Sequence, residues 1–223
     1  MSITNNLQQI LKHVPPHVSL VAVSKYHEVP ELKEAYDAGQ RIFGESKAQE
    51  LIQKHEELPL DGIQWHFIGH LQSNKIKFIA PFVSLIHSID SLRLLKNVNK
   101  EALKVDRIIP CLIQLHIADE DSKYGFTFKE CKELFKSNLL EELNNVKIVG
   151  LMGMATNTDD MQKVSNEFQE LKDFFDFCKE EFFSNETSFK ELSMGMSHDY
   201  QLAIAKGSTL IRVGSKIFGE RIY

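Results

Sequence analysis

The chain has 223 residues, 43% of them hydrophobic and 26% charged, with a formal net charge of −5 at neutral pH. This is the make-up of a folded globular protein, and the acidic balance argues against nucleic acid as a main partner, since that needs a basic face. The cysteines (Cys111, Cys131, Cys178) form no CxxC, and no apolar run approaches the roughly 20 residues of a membrane span, so we expect a cytoplasmic protein without disulfide framework, cysteine zinc site, metal or membrane contact.

Residues 1–16 are polar with apolar positions at Ile3, Leu7, Ile10 and Leu11, which predicts a covering helix rather than a signal peptide. Residues 19–24 are a short run of apolar and hydroxylated side chains leading into Lys25, as in a strand buried on both faces with a lysine at its C-terminal end. Apolar walls favour the neutral, nucleophilic amine, so Lys25 is a candidate for a Schiff base; a lysine snorkelling from a strand end is the alternative. Helical spacing over 29–38 stops at Gly39. A strand at 41–45 follows, then a helix capped by Ser46 and running to Leu58.

Strands are predicted at 63–68, 83–88, 108–117, 146–152, 189–192 and 210–213, and helices at 73–81, 91–104, 128–140, 161–183 and 199–205, with residues 216–223 closing the chain. The acid-rich loop containing Asp119, Glu120 and Asp121 reads as solvated rather than cation-binding. Eight strands, each followed by a helical segment, predict a parallel sheet closed into one (β/α)₈ barrel domain over residues 1–223. An open doubly wound sheet is the alternative, but no GxGxxG follows the first strand.

In such barrels the loops after strands seven and eight often hold phosphate. Here they are Ser193-Met194-Gly195-Met196-Ser197 and Gly214-Ser215, where glycine admits an anion close to backbone N–H groups and serine adds a hydroxyl. Either loop alone is also compatible with plain turn chemistry. Arg212, between apolar residues of strand eight, either pairs with an acid such as Glu45 or faces a ligand. Gln72-Ser73-Asn74-Lys75 either hydrogen-bonds a ligand or caps a helix, and Met152, Met154, Met194 and Met196 are expected to pack around the site. Strands one and eight adjoin when a barrel closes, so Lys25 and the cradle share one mouth. A ligand with both an aldehyde and a phosphate fits, and pyridoxal 5'-phosphate has both.

The segments Val21-Ala22-Val23-Ser24-Lys25, Phe43-Gly44-Glu45, Gln49-Glu50, Trp65-His66-Phe67-Ile68-Gly69, Leu71-Gln72-Ser73-Asn74-Lys75, Leu192 to Ser197, Arg212-Val213-Gly214 and Ile217-Phe218-Gly219 closely resemble the pyridoxal phosphate homeostasis proteins, also called the proline synthase co-transcribed family. The resemblance implies a barrel like the N-terminal domain of alanine racemase. It makes Lys25 the cofactor lysine and assigns the phosphate to Ser193, Met194, Gly195, Gly214 and Ser215. Arg212 would face the pyridine nitrogen, where a permanent cation makes the ring a poorer electron sink. Ser46, His66 and Asn74 are further candidate cofactor contacts. The chain departs from the family at Ser46, commonly asparagine, and at His70, often proline.

The expected function is a monomeric carrier that buffers pyridoxal phosphate and supplies it to apo-enzymes without turnover of its own. The chain ends soon after Gly214-Ser215, which leaves no room for the domain that gives alanine racemase its second base. One alternative is a pyridoxal phosphate enzyme with an unknown amino-acid substrate and His66, His70 or Tyr124 as proton donor. Another is a cofactor-free Schiff-base aldolase. Lys75 and Lys216 are the reserve amines.

Overall fold

A computed structural model describes residues 2–119 and 124–219, so Glu120, Asp121 and the last four residues lie outside the described part. Eight parallel strands close into a barrel in chain order: β1 (Ser19–Val23), β2 (Ile42–Glu45), β3 (Gln64–Phe67), β4 (Leu85–Ile89), β5 (Ile109–Leu115), β6 (Val146–Gly153), β7 (Glu191–Ser193) and β8 (Leu210–Val213). Closure comes from β1 pairing with β8, with Val21 opposite Arg212. The helices are α1 (Ile3–Leu11), α2 (Val29–Asp37), α3 (Ala48–Glu57), α4 (Ile76–Ile79), α5 (Leu92–Lys104), α6 (Phe128–Lys136), α7 (Met161–Glu181), α8 (Tyr200–Ala205) and α9 (Ser215–Phe218). Among the described residues no helix is long and apolar enough to cross a membrane.

Side chains alternate across each strand, which splits the core in two. Outward residues such as Leu20, Ala22, Phe43 and Ile211 pack against the helices, while Val21, Leu85, Leu112, Met152 and Leu210 fill the barrel itself. Helix starts follow their caps: Ser91 accepts from the Leu94 N–H at 3.3 Å, and Thr127 with Glu130 forms a capping box. The α1 helix lies along the closing seam, where Asn6 donates to the Ile217 carbonyl at 2.9 Å and Thr4 N–H to Glu34 at 3.1 Å.

Some boundaries differ from the sequence reading. The helix expected over 128–140 breaks at Ser137, whose extended backbone (ψ 149°) separates α6 from a 3₁₀ turn at Asn138–Leu140. The segment from Ser73 is also a 3₁₀ turn, Ser73–Lys75, followed by the short α4. β7 begins two residues later than expected, beside an irregularity in β6 where Gly150 (φ 155°) lets the Glu191 backbone approach too closely for any Cβ.

Candidate functional site

β1 ends at Val23, and the chain beyond it is held by a charged cluster from β2 and α3. Ser24 Oγ donates to Glu45 Oε1 at 2.7 Å, and Lys54 Nζ donates both to that oxygen and to the Ser24 carbonyl, each at 2.7 Å. Glu50, one helical turn before Lys54, accepts from the Tyr26 N–H at 2.9 Å. The residues on both sides of Lys25 are therefore anchored, and Tyr26 is fixed in the left-handed region (φ 69°), unusual for a bulky side chain. Burial pushes the Glu45 carboxyl above its ordinary value, although the Lys54 ammonium and Ser24 hydroxyl oppose this. Burial acts the same way on Glu50, but the Tyr26 N–H and Lys54 outweigh it and leave that carboxyl below its ordinary value. Lys54 was missed in the sequence, where it looks like an ordinary surface residue of an amphipathic helix. Its spacing four residues after Glu50 was the available signal.

Lys25 borders a cavity of about 120 Å³ at the carboxyl end of the barrel. Arg212, Gly214 and Ser215 border it from the β8 side, Ser46 from the β2 side and Ser197 from the loop after β7, with Val23, Ile68, Met154 and Met196 as apolar wall. Arg212 is nearly fully buried. Burial pushes its guanidinium down to about 10, with Asp199 pulling the other way, so it stays cationic at neutral pH. At Gly214 a Cβ would sit 3.0 Å from the Val23 carbonyl oxygen, a tighter contact than side chains ordinarily make, so glycine eases the close passage of the β8 exit past β1. An amine, a guanidinium, three hydroxyls and an apolar wall suit a flat ligand with an anionic group and an amine-reactive carbon.

Not all the expected site residues reach this cavity. Ser193 lies wholly buried within the barrel, Met194 packs in the outer core, and Gly195 (φ 93°) makes the tight turn between β7 and α8, its carbonyl accepting from the Arg212 N–H at 3.0 Å. From that loop it is Met196 and Ser197 that line the cavity, and Ser197 Oγ accepts from the Gly214 N–H at 3.2 Å. Asn74 is exposed on its 3₁₀ turn and does not border the cavity. Lys75 and His70 instead line an adjoining cavity of about 290 Å³ that shares Ser46. Ser46 is not the cap of α3; Lys47 occupies that position, leaving the Ser46 side chain at the junction of the two cavities. Met152 packs inside the barrel, and Lys216 lies over the Tyr200 ring, 5.0 Å from its centroid. His70 hydrogen-bonds Asp90 at 3.0 Å and stacks on Tyr124.

The suggested Arg212–Glu45 pair does not form, because Glu45 points outward to α3 while Arg212 points into the barrel. Arg212 donates instead to Ser193 Oγ at 2.6 Å and to the Gly153 carbonyl at 3.2 Å. The contacts continue from Ser193 Oγ to His87 Nδ1 at 2.9 Å and from His87 Nε2 to His66 Nδ1 at 3.0 Å. This polar line joins β8, β7, β4 and β3 through the barrel. Burial holds His66 down to about 3 and His87 well below 6.5, with His66 and Arg212 adding to the effect on His87, so both rings are neutral. His66 borders a larger cavity at the amino end and not the one that Lys25 borders. The smaller cavity remains the candidate site because it is where Lys25 and Arg212 meet.

The barrel and this cavity define the class: residues 1–222 match the family model for the alanine racemase N-terminal domain. Curated relatives named pyridoxal phosphate homeostasis protein include one from Schizosaccharomyces pombe, 42% identical over 92% of this chain and 85% of its own length. Another from Aquifex aeolicus is 37% identical over 92% of this chain and 87% of its own. PipY of Synechococcus elongatus PCC7942, solved without PLP, superposes with a TM-score of 0.92 at 35% identity over 98% of this chain and all of that one. The same protein with PLP bound gives 0.85 at 34% identity over the same share of each chain. The chain belongs to the alanine racemase N-terminal-domain family and, within it, to the pyridoxal phosphate homeostasis proteins.

Proposed function

We propose that the protein binds pyridoxal 5'-phosphate as a Schiff base on Lys25 and serves to buffer the cofactor and hand it to apo-enzymes in the cytoplasm, without turnover of its own. The observation that carries this reading is the meeting of Lys25 and Arg212 in one cavity with the Gly214-Ser215 turn. The residues fit the ligand. Gly214, Ser215 and Ser197 offer a close backbone and hydroxyls for the phosphate, and Arg212 offers a cation to the ring edge. When bound, the cofactor supplies an aldehyde that condenses reversibly with an amine, water leaving.

The chain's own residues do the rest. The Glu45–Lys54–Glu50 cluster keeps the backbone around Lys25 in one conformation, so the amine is presented from a fixed origin. Ser193 and the Gly153 carbonyl hold the guanidinium of Arg212 in place. A fixed cation there would disfavour protonation of a ring nitrogen held beside it, and so would favour holding the cofactor over carbanion chemistry. Purified protein loaded with pyridoxal phosphate should activate an apo-transaminase in a transfer assay and show no racemase or transaminase activity of its own. Substantial amino-acid turnover that disappears in Lys25→Ala would overturn the carrier reading.

A further inference from the structure

The inward side chains at the starts of the strands surround a cavity of about 440 Å³ at the amino end of the barrel, opposite the mouth where Lys25 sits. Ser19, Gln64, Ser84, Lys190 and Glu191 border it, and His66 reaches it from the interior. His66 is only 5% exposed. Its Nδ1 is taken by His87, and its Nε2 has no hydrogen-bond partner among the described residues.

The polarity of that nitrogen follows from counting donors. Arginine only donates, so Ser193 Oγ accepts from Arg212 and its own proton needs an acceptor. Among the described residues the acceptor in reach is His87 Nδ1. A neutral His87 then carries its proton on Nε2 and donates to His66 Nδ1, which leaves the His66 proton on Nε2. The chain runs one way, from Arg212 to an N–H that opens onto the cavity. It is not sealed in the interior, so a ligand that enters the cavity can supply its acceptor.

We propose that this cavity is a second ligand site, taking a small monocarboxylate whose oxygen accepts from His66 Nε2–H and whose charge is met by Lys190. Glu191 sets the limit on charge. Its carboxylate, which accepts from Thr209 Oγ1 at 2.8 Å, borders the same space and opposes a dianion such as phosphate. The inference stands apart from the cofactor reading and is tested on protein without pyridoxal phosphate.

The test follows ring ¹⁵N signals of the labelled full chain during titration with acetate and, separately, inorganic phosphate; the His66 signal is assigned by its absence in His66→Gln. The expected result is a saturable shift of the His66 Nε2–H signal with acetate, at least about tenfold weaker with phosphate. In Lys190→Ala, an exposed position that leaves the core untouched, acetate should bind roughly tenfold more weakly. A His66 signal that stays still, or moves without saturating, would mean the cavity holds only water and would overturn the proposal. So would acetate affinity unchanged in Lys190→Ala.

Discussion

At the scale of single residues, Lys25 is placed by neighbours that never touch its side-chain role. Glu45 is fully buried and Lys54 almost so, and each is tolerable there only because of the other. Lys54→Ala should therefore cost about 3–5 kcal/mol in denaturant unfolding, because it strands a buried carboxylate and frees the Ser24 carbonyl. The paired change Glu45→Leu with Lys54→Met should recover most of that loss. A cost below about 1 kcal/mol for Lys54→Ala would show that the cluster is not holding the turn. Ser193 makes a similar case. Ser193→Ala removes the acceptor of Arg212 and the donor to His87 together, and should cost about 1–3 kcal/mol by the same measurement.

At the scale of elements, the loops after β2 and β3 press directly together. A Cβ on Gly69 would fall 2.7 Å from the Ser46 Cα and closer still to its carbonyl oxygen, and backbone atoms cannot swing aside as a side chain tip can. Gly69→Ala should thus move Ser46 at the edge of the Lys25 cavity, and fluorescence titration should show weaker binding of pyridoxal phosphate. Unchanged affinity would separate Ser46 from the site. The strands and most helices were legible from the run of apolar positions, since burial on both faces and helical spacing leave plain marks. The 3₁₀ turns at Ser73 and Asn138 and the late start of β7 were not. The start of β7 lies beside the close approach of Gly150 to the Glu191 backbone, made by residues about forty positions apart in the chain.

At the scale of the whole molecule, strict alternation of strand and helix was enough to read the barrel, and the adjacency of strands one and eight was enough to expect Lys25 beside Gly214-Ser215. The polar line through the interior was not legible. Arg212, Ser193, His87 and His66 come from four strands, and only the register of the closed barrel turns all four inward. That line gives the molecule a pH dependence. Folding keeps both imidazoles neutral, whereas the unfolded chain protonates them near their ordinary 6.5, so below that pH the unfolded state binds more protons. Stability should be full above about pH 6.5 and fall as the pH drops toward 3, by up to about 1.4 kcal/mol per pH unit for each histidine. Urea unfolding across that window should show the slope, and His66→Phe should reduce it. A slope unchanged in that variant would mean His66 is not the neutral buried ring described.

The central claim, that Lys25 is the residue holding the cofactor, has one direct test. Protein incubated with pyridoxal phosphate is reduced with borohydride, digested, and the modified peptide mapped by mass spectrometry, with Lys25→Ala alongside. The expected result is a single dominant adduct on Lys25 and its loss in the variant. A wild-type adduct mainly on Lys75 or Lys216, or none at all, would contradict it.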